Sequence, residues 1–211
     1  VAPVFYSLTD APGGRLPWEE RPHWNIVAFA DSGIRLFCVD LWLAHIWSED
    51  NLIDISTARS AIAAITSVRA DAAVLFRLHV NPPTWWLSRH PEAWCGYCDS
   101  EYAEPTPGFR RPVEDDLRPV PRHSLVSATV HREVGEALGR FLTALERSPE
   151  GDHVMGIHIA DGVFGEYHQW AFLEHDPDCG PAATAAFAEW LRERYAAETD
   201  ARVPTPEERS H

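Results

Sequence analysis

The sequence predicts an α/β fold of parallel βα units, the first four of a TIM, or (β/α)₈, barrel. Three observations lead there. Apolar runs of strand length alternate with segments of helical spacing in the order β-α-β-α-β-(loop)-α-β-(loop)-α. Such alternation specifies a parallel sheet with right-handed crossovers. No G-x-G-x-x-G follows the first strand, so the signature of a doubly wound dinucleotide-binding sheet is missing. Polar residues gather where strands end, at Asp40, His79, Asn81 and Asp161, and C-terminal strand ends are the active face of a barrel. The expectation is a single domain over residues 1–211, the N-terminal half of such a barrel.

The elements follow in order. Pro3–Leu8 is short, apolar and aromatic, and reads as a strand. Asp10–Pro22 is turn-rich, with Gly13-Gly14 and three prolines. Trp24–Ser32 has helical spacing and is followed by Gly33, where a helix C-cap glycine belongs. Ile34–Leu43 is almost continuously apolar around Asp40, which suits a strand buried on both faces. Asp54 and Ser56 can cap the next helix, whose buried stripe is Ile55, Ala58, Ile62, Ile65 and Val68. Ala72–Val80 is the third strand; alternation puts Leu75, Arg77, His79 and Asn81 on one face. Pro82-Pro83 ends it, and Thr84–His90 is a short helix carrying Trp85 and Trp86.

Glu92–Arg122 is a long loop with five prolines, and loops of that length in compact domains are commonly functional. Ser124 opens a helix to Arg147 with Val126, Val130, Val134, Leu138, Phe141, Leu142 and Leu145 inward. His153–Ala160 is a buried fourth strand. Gly180-Pro181 starts the last helix, with Phe187, Trp190, Leu191 and Tyr195 as its stripe, and a polar tail runs from Thr199 to His211.

Composition narrows the function. The net charge of −14 argues against nucleic acid, which needs a basic face, and against an anionic membrane surface. All 18 basic residues are Arg, so lysine Schiff bases, P-loop lysines and Ser-Lys dyads are excluded. No G-x-S-x-G elbow, H-E-x-x-H or other metal-ligand spacing occurs, and neither cofactor nor metal is expected. The chain begins without Met or a signal-peptide pattern and has no apolar run of membrane length. It reads as processed or cut from something longer, with the cytoplasm favoured. Nine Trp, five Tyr and nine Phe supply aromatic faces that stack on sugars or fill a core.

The candidate chemistry centres on HVMGIHIADGVFGEYHQW, residues 153–170. The strand runs into a glycine-punctuated loop that delivers Glu166 among Tyr167, His168, Gln169 and Trp170. A carboxyl against apolar walls has its charged form disfavoured and suits acid/base work. Asp161 is the fallback acid/base. Asp40, Arg77, His79, Asn81, His158 and Asp161 would hydrogen-bond substrate hydroxyls or orient carboxylates, or else satisfy one another inside the barrel. Trp85-Trp86 forms a stacking platform, or divides into one inward and one capping ring.

Four stretches carry a resemblance: GIHIADGVFGEYHQW, SGIRLFCVDLWL, VLFRLHVNPPTWWLSRHPEAW and PAATAAFAEWLRERYAAE. In order and together they resemble the second, third and fourth strand regions, and the following helix, of retaining (β/α)₈-barrel glycoside hydrolases related to the β-galactosidases (clan A). The resemblance implies that Glu166 is the general acid/base of a double displacement on a β-glycoside, with a carboxylate nucleophile about 5 Å away. The family's Asn-Glu pair is here Gly165-Glu166. Its nucleophile lies at the end of strand seven, beyond this chain. The implied partners are therefore a carbohydrate substrate and either the missing C-terminal half or a second copy closing the open edges.

Two other readings stand beside it. One is a truncated or degenerate barrel that binds carbohydrate without hydrolysing it. The other rests on Trp94-Cys95-Gly96-Tyr97-Cys98, which resembles the W-C-G-x-C motif of thioredoxins. Here it follows a short helix and opens a proline-rich loop, where a disulfide, half a metal site or ordinary loop cysteines are the competing explanations. Cys38, inside a strand, is a small core residue.

Overall fold

The computed structural model describes residues 6–7, 16–97, 121–162, 165–170 and 176–195. Outside the described residues lie most of the first predicted strand, Gly13-Gly14, the greater part of the proline-rich loop with Cys98, Val163-Phe164 and the tail from Thr199. The chain packs as two compact units. One comprises residues 1–80 and 136–160, the other residues 81–135 and 161–211.

The first unit holds the sheet. Its strands β1 (Tyr6–Ser7), β2 (Leu36–Trp42), β3 (Ala73–His79) and β4 (Val154–Ala160) are all parallel and stand in the order β1-β2-β3-β4. Sequential order with every neighbour parallel is the arrangement of successive βα units in a (β/α)₈ barrel. The crossovers carry α1 (Glu20–Asp31), the short α2 (Leu43–Ile46), α3 (Ser56–Val68) and the end of α5 (Ala128–Glu146).

Local chemistry accounts for the helix ends. Gly33 sits just past α1 at φ 93°, a left-handed conformation that glycine adopts without a Cβ penalty. Asp54 Oδ1 accepts the Ser56 N–H at 2.7 Å at the start of α3. The α3 stripe is Ala58, Ala61, Ile62 and Ile65, all buried.

Alternation then sorts the strand residues. Phe37, Val39, Leu41, Val74, Phe76 and Leu78 are buried and share one face by their period. With Ile26, Ile62, Ile65, Ala137, Phe141 and Leu145 they make up the unit's apolar core. Burial of each large side chain stabilises by about 1.5–3 kcal/mol. The opposite face carries three cross-strand rows: Cys38-Leu75-Gly156, Asp40-Arg77-His158 and Trp42-His79-Ala160.

The β4 member of each row depends on a β-bulge. Val74 pairs with Val154, yet Leu75 pairs with Gly156, so Met155 is the extra residue, 59% exposed. The bulge resets the alternation and places His158 beside Arg77. Sequence reading treated β4 as a buried strand. Its burial is instead partial, with only Ala160 fully covered, because β4 is paired only with β3 among the described residues.

The second unit contains α4 (Thr84–Arg89), the start of α5 and α6 (Pro181–Arg194). Helix α5 begins at Ala128, after a turn in which Ser127 N–H donates to the Ser124 carbonyl (3.1 Å). Two residues expected inward are exposed: Leu142 in α5, and Val126, which precedes it. Helix α6 begins at Pro181 as expected, but its stripe does not. Phe187, Trp190 and Tyr195 are exposed, and no α6 residue is buried. No described helix is long and apolar enough to cross a membrane.

Candidate active site

At the C-terminal ends of β2 and β3, the row-forming residues of the first unit make a charged cluster. Asp40 and Arg77 are register partners. Arg77 grips the Asp40 carboxylate with two N–H groups, Nε to Oδ1 and Nη2 to Oδ2, the latter at 2.7 Å. His79 Nε2 stands 3.5 Å from Asp40 Oδ1. Its ring stacks on Trp42 at 5.2 Å between centroids and 9° between planes. Asp40 and His79 are buried, while Arg77 is about one-third exposed.

Burial by itself would push the Asp40 carboxyl up. The hydrogen bonds from His79 and Arg77, with the Arg77 charge, outweigh that and hold it below its ordinary value. Asp40 is thus a fixed anion whose charge is used by its neighbours. Arg77 remains about one-third exposed. His158 lies in the same row but is exposed.

The second group belongs to the second unit and is a tight turn directly following β4. Asp161 Oδ1 accepts the Gly162 N–H at 2.8 Å, and Asn81 Oδ1 accepts the same N–H at 3.2 Å. The Tyr167 N–H donates to the Asp161 carbonyl (2.8 Å) and closes the turn. Within it Gly162, Gly165 and Tyr167 have φ of 67°, 72° and 60°. Two of these three left-handed positions are glycine for the usual steric reason, which explains the glycine punctuation of the sequence.

A Cβ at Gly162 would also strike the His168 carbonyl oxygen. Gly162→Ala should therefore cost about 2–4 kcal/mol, combining the left-handed penalty with a backbone clash. Gly33→Ala is the control: φ is 93° but nothing lies within 4 Å of its Cβ, so only about 1–2 kcal/mol is expected. Urea unfolding of both variants tests this. Equal losses would show that the Gly162 contact carries no cost.

Glu166 is the residue this turn presents. Its side chain is 66% exposed, and Oε2 lies 3.5 Å from His168 Nε2. The expectation of a carboxyl walled by aromatic rings is corrected here. Tyr167 is itself 56% exposed, and the buried Trp170 is engaged elsewhere. Burial, and then the nearby Asp161 carboxylate, push the Tyr167 hydroxyl up from its ordinary value, so it remains a hydrogen-bond donor at neutral pH.

Trp170 meets the His123 ring edge-on at 6.0 Å and carries the Arg122 guanidinium over its face, 4.6 Å from the ring centre. His123 is 1% exposed, and its Nε2 lies 2.9 Å from Asp161 Oδ1. That approach is off the hydrogen-bond line, leaving the ring nitrogen without a hydrogen-bond partner. Sequence reasoning did not assign His123, Arg122 or Trp42 to the site. Only Trp42 left a usable signal, two residues past Asp40 on the same strand face.

The tryptophan pair divides. Trp86 is 1% exposed, donates from Nε1 to Glu133 Oε2 at 2.8 Å and stacks on His90 at 4.1 Å. That corrects its assignment as a substrate platform: a ring enclosed by protein cannot receive a sugar. Trp85 is half-buried, with the Arg89 guanidinium 5.1 Å from its ring centre.

The cysteine motif has a structural explanation. Gly96 and Gly180 approach so closely that a Cβ on Gly96 would come within 2.5 Å of Gly180 Cα. The Cys179 N–H donates to the Gly96 carbonyl (3.0 Å), and Asp178 Oδ1 accepts the Gly96 and Gly180 N–H groups (2.8 and 2.9 Å). Cys95 is buried, and burial pushes its thiol up to about 12. A thiol that attacks disulfides needs the opposite shift. Among the described residues no three His, Cys, Asp or Glu side chains gather as a metal site.

Parallel βα units in sequential order, with charged side chains at their C-terminal ends, define this chain as part of a (β/α)₈-type fold. No family model and no curated protein sequence matches it. Solved structures do. It is similar to the β-galactosidase of the psychrophilic Marinomonas ef1, with a TM-score of 0.54, 18% identity, and coverage of 92% of this chain and 25% of that one. It is also similar to the cold-adapted β-galactosidase of Rahnella sp. R3, with a TM-score of 0.56, 13% identity, and coverage of 93% and 25%. A third is a catalytic mutant of a GH42 β-galactosidase from G. stearothermophilus, with a TM-score of 0.51, 15% identity, and coverage of 94% and 25%. The chain spans about a quarter of the length of each. At these identities the likeness is one of fold.

Proposed function

We propose that these residues form the acid/base side of a retaining β-glycoside hydrolase, with Glu166 as the acid/base. The observation that carries the reading is the turn after β4. Glycines at φ 67° and 72°, and a backbone bond from Tyr167 to Asp161, hold Glu166 with its carboxylate open to solvent. In the glycosylation step Glu166 gives its proton to the glycosidic oxygen as that bond breaks; in the second step it takes a proton from the incoming water. The mechanism also needs a second carboxylate as nucleophile, about 5 Å from the first. Asn81, Asp161 and Tyr167, which belong to the same unit as Glu166, are proposed to frame the sugar, with Trp85 at its margin; Asp40, Arg77, His79 and His158 of the sheet-bearing unit are proposed as a separate group that binds substrate hydroxyls. The likeness of fold to β-galactosidases makes β-galactosides the first substrates to try.

The test is proton NMR of the first-formed sugar when the complete gene product acts on an aryl β-galactoside. Initial release of the β-anomer is expected. Initial release of the α-anomer would exclude the double displacement. Sugar binding without any turnover would favour a carbohydrate-binding barrel instead.

A further inference from the structure

We infer that His123 is a positioning residue for Glu166, acting through Asp161; this rests on the acid/base reading of Glu166. The path is short and lies within one unit. His123 is fully buried and set by backbone pairing on both sides. The Cys95 N–H donates to the Arg122 carbonyl (2.7 Å), and the Ser124 N–H to the Ala93 carbonyl (2.8 Å). Its Nε2 lies 2.9 Å from Asp161 Oδ1, the oxygen that also accepts the Gly162 N–H. The Asp161 carbonyl accepts the Tyr167 N–H. Asp161 therefore holds both ends of the turn that bears Glu166, and His123 is what its carboxylate rests against. Trp170 edge-on to the imidazole closes the other side.

A buried imidazole nitrogen with no hydrogen-bond partner is costly to keep. Its 2.9 Å approach to Asp161 Oδ1 sets the ring against the carboxylate it is inferred to hold. Loss of the ring would let that carboxylate rotate, loosen the Gly162 N–H and allow Glu166 to drift. A displacement of about 1 Å at a reacting group costs on the order of a hundredfold in rate.

Two readouts in the complete gene product test this. In His123→Ala, hydrogen exchange at the Gly162, Gly165 and Tyr167 amides should quicken by about tenfold or more, with exchange in β2 and β3 unchanged. For glycosides with poor leaving groups, kcat should fall about 10–100-fold with KM little altered, and for activated aryl glycosides about threefold or less. In the Glu166→Ala background the same substitution should add almost nothing. Asp161→Asn keeps an acceptor for the Gly162 N–H and tests the link if His123→Ala folds poorly; the same pattern is expected, in weaker form. Unchanged exchange in the turn overturns the inference, as does a rate loss equal for all leaving groups. If Glu166→Ala shows no leaving-group dependence, the acid/base reading fails, and the exchange experiment still decides whether His123 holds the turn.

Discussion

Glu166→Ala should lower kcat/KM for a β-glycoside with a poor leaving group by about 10²–10⁴-fold. A dinitrophenyl glycoside should suffer far less in its first step, because its phenolate departs without a proton. Its second step should become limiting, since no base remains to activate water. Added azide should then restore turnover and yield a β-glycosyl azide, because a small anion fits the space of the missing carboxylate and needs no deprotonation. The 66% exposure of the Glu166 side chain suits this cycle: the group can exchange protons with solvent between turnovers. Exclusion of water around it would come from the bound sugar itself. Leaving-group series and product analysis check the prediction, and equal losses on all substrates with no azide product would remove Glu166 from the acid/base role.

Arg77→Met should destabilise the protein by about 2–4 kcal/mol at neutral pH. Breaking a buried ion pair by removing one partner leaves an uncompensated charge, an effect of about 3–5 kcal/mol when both are fully buried. Arg77 is about one-third exposed, which tempers the figure. The loss should depend on pH with a defined sign. The folded-state value of Asp40 is depressed by His79 and Arg77. Its contribution is therefore fully present above the unfolded carboxyl value of about 4. It is lost as pH falls through the lower folded value. The gap between wild type and variant should narrow as pH falls below about 4, where the unfolded chain takes up the proton first, and close once the folded Asp40 is neutral as well. Urea unfolding at pH 7 and pH 3 measures both terms. A gap of the same size at both values would mean that Arg77 contributes packing rather than charge.

The two sites differ in how legible they were. The cross-strand rows follow from period-two alternation along β2 and β3. Asp40, Arg77 and His79 could thus be grouped from their spacing alone, and the register joins them as pairs. The turn after β4 was legible through its glycines, which occupy left-handed positions. The environment of Glu166 was not. Aromatic neighbours in sequence need not be neighbours in space, and Trp170 packs with His123 and Arg122 instead. The Gly96 of the cysteine motif likewise answers to Gly180, a partner far along the chain.

Alternation of apolar periodicity determined the order of strands and helices, since it records which side of each element meets water. Glycine placement determined where the backbone turns left-handed, since other residues pay a steric penalty there. Only tertiary structure decided the rest. The bulge at Met155 set His158 beside Arg77, the end of the sheet left β4 half-covered, and packing against the 93–95 segment brought His123 to Asp161. Burial and electrostatic environment belong to pairs of residues distant in sequence, and a pattern along one chain carries no term for them until the chain has folded.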